Sequence, residues 1–115
     1  MVDVTLYVEG GGDSGALRSR CREGFRTFLE KAGFRGCMPR IVACGGRQSA
    51  FDMFRTACES HRTAVLLIDS EDCVEGTSSW EHLARRPGDG FVAPKNAAGD
   101  QCRLMVVCME SWFLA

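Results

Sequence analysis

Apolar residues fall in short runs separated by glycine-rich turns, and these runs alternate with amphipathic stretches. Val2 to Val8 is a strongly apolar run closed by glycines, which predicts a first strand covered on both faces. After Gly10-Gly11-Gly12, Asp13 or Ser14 stands where a helix N-cap belongs. Leu17, Cys21, Phe25, Phe28, Leu29 and Ala32 then recur at helical spacing until Gly33, with Arg18, Arg22 and Arg26 on the wet side. Met38 to Ala43 predicts a second strand ending at Gly45-Gly46, and Gln48 to about Ser60 a second helix with Ala50, Phe54, Ala57 and Cys58 inward. Ala64-Val65-Leu66-Leu67-Ile68 is an unbroken apolar run that stops at Asp69 and suits the middle of a parallel sheet.

The stretch from Ser70 to Gly99 is irregular, with a helical turn expected around Ser79 to Ala84. Leu104 to Met109 reads as a fourth strand or the start of a buried helix, and Glu110 to Ala115 as the beginning of a further helix. The alternation implies an α/β layer fold of about four mostly parallel strands flanked by helices, joined by right-handed crossovers. No internal repeat, low-complexity tract or linker interrupts it.

At 115 residues the chain makes one domain, residues 1–115, with one core. Fourteen Lys and Arg against 15 Asp and Glu give a net charge of −1, so no long-range field draws the whole chain to nucleic acid or to an anionic membrane. Nucleic-acid contact has to be local or bridged by metal. No apolar run approaches the roughly 20 residues of a bilayer helix, and Met1-Val2-Asp3-Val4 lacks the basic and apolar regions of a signal peptide. The expectation is a cytoplasmic protein without membrane contact.

Seven cysteines, an odd number without an export signal, argue for reduced thiols. No pair has zinc-knuckle spacing, and His61 and His82 are not placed as co-ligands. Cys21, Cys58 and Cys108 stand in apolar patterns as small hydrophobes, and Cys73 follows acids that blunt it as a nucleophile.

The positions of the acids carry the functional reading. Glu9 ends strand one, Gly45-Gly46-Arg47 follows strand two, Asp69 and Glu71 follow strand three, and Glu110 follows the fourth run. In an open parallel sheet these ends share one edge, where such sheets bind ligands. Two unit charges about 4 Å apart repel by about 4 kcal/mol at an effective dielectric near 20, and a divalent cation relieves that. Glu9, Asp69, Glu71 and Glu110 are therefore candidate ligands of Mg2+ or Mn2+. The plainer alternative is that acids after strands cap helices or sit in solvated turns, as Asp13 and Asp72 can.

Gly10, Gly12 and Gly15 also satisfy the dinucleotide fingerprint G-x-G-x-x-G, but Glu9 and Asp13 oppose a pyrophosphate there, and no ribose-binding acid ends strand two. Gly10, Asp13, Arg47 and His82 remain candidate substrate-binding residues, with Arg85 and Arg86 as further phosphate contacts or solvated surface. Trp80 is a candidate for base stacking or partner contact, while Trp112 and Phe113 read as core. The single tyrosine, Tyr7, lies inside a strand, which argues against a tyrosine nucleophile.

Val8-Glu9-Gly10 with Asp13, followed by Leu66-Leu67-Ile68-Asp69-Ser70-Glu71, resembles the paired motifs of TOPRIM domains. With Trp80-Glu81-His82-Leu83, Asp100-Gln101-Cys102-Arg103-Leu104-Met105 and Cys108-Met109-Glu110-Ser111-Trp112-Phe113-Leu114-Ala115, the chain is similar over nearly its whole length to a prokaryotic TOPRIM-like family, domain of unknown function 4276. That resemblance implies a Rossmannoid sheet, Glu9 as general acid/base, and Asp69 and Glu71 as magnesium ligands. It implies phosphodiester chemistry on DNA or RNA of the kind done by overcoming-lysogenization-type nucleases, with an ATPase partner in phage defence. Catalysis then rests on Glu9, Asp69 and Glu71. The second acid of the pair is Glu71 where the motif has Asp, and members of the family continue past Leu114-Ala115, so a C-terminally truncated module is the expectation. A different class, a catalytically silent subunit that docks an ATPase, stands beside the nuclease reading.

Overall fold

Strands and helices alternate along the chain of this computed structural model, which describes residues 4–10, 14–70, 78–86, 89–95, 97 and 101–105. The order is β1 (Thr5–Val8), α1 (Gly15–Leu29), β2 (Arg40–Ala43), α2 (Arg47–Glu59), β3 (Ala64–Asp69), α3 (Ser79–Arg85) and β4 (Cys102–Met105). The strands form one sheet, ordered β2-β1-β3-β4, in which every pairing is parallel. This is the α/β architecture expected from the sequence. Since β1 is flanked by β2 on one side and β3 on the other, the strand order reverses at β1, and ligands bind beyond the strand ends at such a switch point.

Ser14, one of the two expected caps, caps α1: its Oγ accepts from Leu17 N at 3.1 Å. The helix runs on through a π-helical turn, Glu30–Phe34, and ends where Gly33 takes φ 103°, a left-handed conformation that glycine adopts without strain. Strand alternation then divides the core. Val8 and Leu67 meet Phe25 of α1 on one face, with Leu6, Cys21 and Ile41 against them. Tyr7, Leu66 and Ile68 point to the other face, against Ala50, Phe51, Phe54 and Cys58 of α2 and Leu83 of α3. Phe91 closes that side, its ring stacked on Phe51 at 4.4 Å and 7°.

Several boundaries differ from the sequence pattern. Strand two starts at Arg40 rather than Met38, beyond Pro39, which has no N–H to give a ladder. Strand four starts at Cys102, two residues before the apolar run at Leu104; buried Cys102 pairs with Leu66, and Gln101 Nε2 donates to the Ala64 carbonyl at 3.0 Å. The expected turn after Ser78 is a seven-residue helix, with Ser78 Oγ accepting from Glu81 N at 3.2 Å. The segment 106–115, with Glu110, Trp112 and Phe113, lies outside the described residues.

No helix among the described residues is long and apolar enough to cross a membrane. The five described cysteines, at 21, 37, 44, 58 and 102, are free thiols. Burial pushes Cys44 up to about 11 and Cys102 up to about 12, and raises Cys58 as well, so they behave as small apolar side chains.

Candidate carboxylate site at the carboxyl edge of the sheet

The β1–β3 ladder outlasts β1 because a side chain takes over from the main chain. Glu9 N donates to the Leu67 carbonyl at 2.9 Å, and the next donor on β3, Asp69 N, is answered by Glu9 Oε1, also at 2.9 Å. The Glu9 carboxylate thus stands in the place of the next carbonyl, at the point where the strand order reverses. Beyond it, Gly10 and Gly45 close an antiparallel bridge with two N–H to carbonyl bonds of 2.8 Å each. Gly10 has φ 144° and Gly45 φ 83°, values that strain a residue with a Cβ. The Gly10 amide is therefore committed to Gly45 and does not point into a phosphate cradle of the dinucleotide type.

Arg47, the first residue of α2, reaches into the same edge. Its Nη1 donates to Glu9 Oε1 at 3.1 Å and to the Asp69 carbonyl at 2.7 Å. The rest of the fork grips Asp89, Nε to Oδ1 at 3.0 Å and Nη2 to Oδ2 at 2.6 Å. This is the bidentate geometry in which a guanidinium binds a carboxylate most firmly. The side chains of Arg47, Glu9 and Asp89 are only 18%, 12% and 8% exposed, so the network is weakly screened. Arg86 Nη1 adds a longer contact to Asp89 Oδ2, 3.4 Å.

Asp69 presents two groups to two sides. Its main chain is held by Glu9 and Arg47, while its side chain alternates onto the α1 face with Leu67, where its charge raises the Cys21 thiol after burial has already done so. Asp69 Oδ1 is shut off from solvent. Glu9 and Asp69 are therefore brought together at one rung, with Arg47 approaching from α2 and the Asp69 carboxylate on the side of α1.

The other sequence candidates are placed as follows. Gly10 is beside Glu9 in the bridge just described. His82 is not in an open loop: it lies in α3, 8% exposed, and its Nε2 is 2.9 Å from the Ser70 carbonyl. A carbonyl only accepts, so this bond places a proton on Nε2 and ties α3 to the end of β3. Trp80 packs against Phe54 at 5.8 Å and edge-on to Phe51 at 6.4 Å, which makes it part of the core wall rather than a bare stacking platform. Arg85 is surface, 72% exposed, as the plainer alternative has it. Asp13, Glu71 and Glu110 lie outside the described residues. Among the described residues no three His, Cys, Asp or Glu side chains are grouped around one point.

Asp89 is the site residue that the sequence does not announce. It sits in Pro87-Gly88-Asp89-Gly90, which reads as a solvated turn, and only the fold reveals that it faces Arg47 across 42 residues. No protein-family model, curated protein or solved structure matches the chain.

Proposed function

We propose that this domain hydrolyses phosphodiester bonds of DNA or RNA at the carboxyl edge of its sheet, with Mg2+ or Mn2+ held by Glu9 and Asp69. The supporting observation is that the Glu9 carboxylate accepts from the Asp69 main-chain amide at the switch point of a parallel sheet, so that both acids stand at the end of adjacent strands. The donor chemistry suits the ion, because Mg2+ takes one or two protein carboxylates and leaves its remaining positions to water and substrate phosphate. Held there, the ion would supply activation of water and relief of charge on the leaving oxygen. Arg47 fixes the Glu9 carboxylate in place, and Asp89 in turn fixes Arg47. Glu9 then handles a proton at the edge, and Glu71 is the further ligand that the TOPRIM-like resemblance implies. A cytoplasmic role in phage defence beside an ATPase follows from the same reading.

A second reading rests on Arg47. Its guanidinium already offsets charge on Glu9 and Asp89, as it would in a catalytically silent subunit that uses this fold to dock an ATPase. Calorimetric titration with Mn2+ and incubation with a labelled oligonucleotide separate the two. The nuclease reading requires cation binding and cleavage, both lost in Asp69→Asn; a domain that binds neither Mn2+ nor Mg2+ and leaves the oligonucleotide whole belongs to the second.

A further inference from the structure

Half of the Lys and Arg of the chain, seven of 14, stand between Gly15 and Arg40, with only two of its 15 acids. The near-zero net charge therefore conceals a segregated one. α1 and the outer edge of β2 carry this excess, and two open cavities of about 720 and 800 Å3 lie there, sharing Arg22, Arg40 and Ile41. Through these shared residues they adjoin as one groove along β2, which among the described residues has a strand neighbour on one side only. Arg18, Arg22 and Arg26 follow one another at four-residue steps on α1, about 6 Å apart along the helix axis. Arg40 faces them from β2, and Met38, Pro39 and Ile41 give an apolar floor. Glu23 is the one acid on the wall of the first cavity, Asp52 of the second, and Arg26 is shared with Glu30 at 3.2 Å.

The groove leads to the carboxylate edge. Its near end is made by Gly15, Arg18, Ala43 and Cys44, next to Gly45, which is bonded to Gly10. Arg18 stands on α1 at that end, and the Asp69 side chain alternates with Leu67 onto the α1 face, so cation and carboxylate share the α1 side. We infer that the groove between α1 and β2 holds a nucleic-acid strand by its phosphates, with Arg18, Arg22 and Arg40 as the principal contacts, and feeds it toward Glu9 and Asp69. A regular row of cations over an apolar floor matches a polymer with one charge per repeat and apolar faces between. The inference deepens the nuclease reading but is tested apart from it.

The test is fluorescence anisotropy of a labelled single-stranded oligonucleotide with the full chain in EDTA, where no cation is bound and no cleavage occurs. Arg18→Gln, Arg22→Gln and Arg40→Gln combined lower the affinity at least about tenfold and flatten the dependence of log K on log salt by about 2. Arg20→Gln, also on α1 but off the groove, changes neither, and circular dichroism melts confirm that all variants are folded. Binding that survives the triple replacement overturns the inference, as does a groove that takes up polyglutamate in preference to the oligonucleotide. Failure of the catalytic reading looks different: arginine-dependent binding in EDTA with no cleavage when Mn2+ is restored.

Discussion

The Asp69 amide donates to the Glu9 carboxylate across 60 residues of chain, at 2.9 Å, where a strand carbonyl would otherwise stand. Glu9→Ala removes that acceptor and a partner of Arg47 together, so it lowers unfolding free energy by about 2 kcal/mol in urea titrations. Glu9→Gln keeps an oxygen for the amide and loses the charge. It is the milder change for stability, roughly half as large, yet it removes the carboxylate charge and lowers Mn2+ binding as Glu9→Ala does.

Arg47→Ala takes the guanidinium away from Asp89 and Glu9 at a poorly solvated edge, leaving them the weaker Arg86 contact and the Asp69 amide. The expected loss is about 2–4 kcal/mol, below that of a fully buried pair because some solvent reaches these groups. Arg47→Lys cannot reproduce the two-pronged grip on Asp89 while also reaching Glu9, so it recovers less than half of the loss. Chemical denaturation of the three proteins checks the order.

Phe91 holds the segment after α3 by its stack on Phe51, two residues from Asp89. Phe91→Ala costs about 3 kcal/mol. Since the same segment carries the carboxylate that Arg47 grips, Phe91→Ala and Arg47→Ala together destabilise by less than their sum, which a double-mutant cycle measures.

Mn2+ at a hundredfold excess over its dissociation constant raises unfolding free energy by about 2.7 kcal/mol if it binds the folded state alone. Asp69→Asn abolishes the increment. Thermal melts with and without the ion give the readout.

The buried thiols set an alkaline limit. Cys44 titrates at about 11 and Cys102 at about 12 in the folded chain, above the ordinary value near 9, because burial disfavours the thiolate. The folded state thus holds these protons more tightly than the unfolded state. Their contribution is complete below pH 9 and is lost as the pH rises through 11 to 12. At pH 8 iodoacetamide labels exposed Cys37 well before Cys44 or Cys102, as peptide mapping shows.

Most of the fold was legible because its strands are continuous apolar runs and its helices repeat at 3.6 residues. Ala64–Ile68 and the Leu17–Ala32 series needed no partner to be read. The positions of Glu9 and Asp69 at strand ends were equally plain. Boundaries set by single bonds were not: Cys102 joins β4 through its pairing with Leu66, and Pro39 trims β2. Arg47 was placed at the correct edge, but its engagement by Asp89 depends on a contact 42 residues away that no local pattern encodes. The balance of 14 against 15 charges likewise hid the concentration of arginines on α1 and β2, since a sum carries no information about arrangement.

The reach of Arg47 has a consequence for how this edge comes into being. One guanidinium gathers Glu9, the Asp69 carbonyl and Asp89 from separations of 38, 22 and 42 residues. Contacts of such sequence separation slow folding, because loop-closure entropy is spent before they form. The cluster is accordingly complete only when β1, α2, β3 and the segment carrying Asp89 have all come together, so loss of any one of these elements dissolves it.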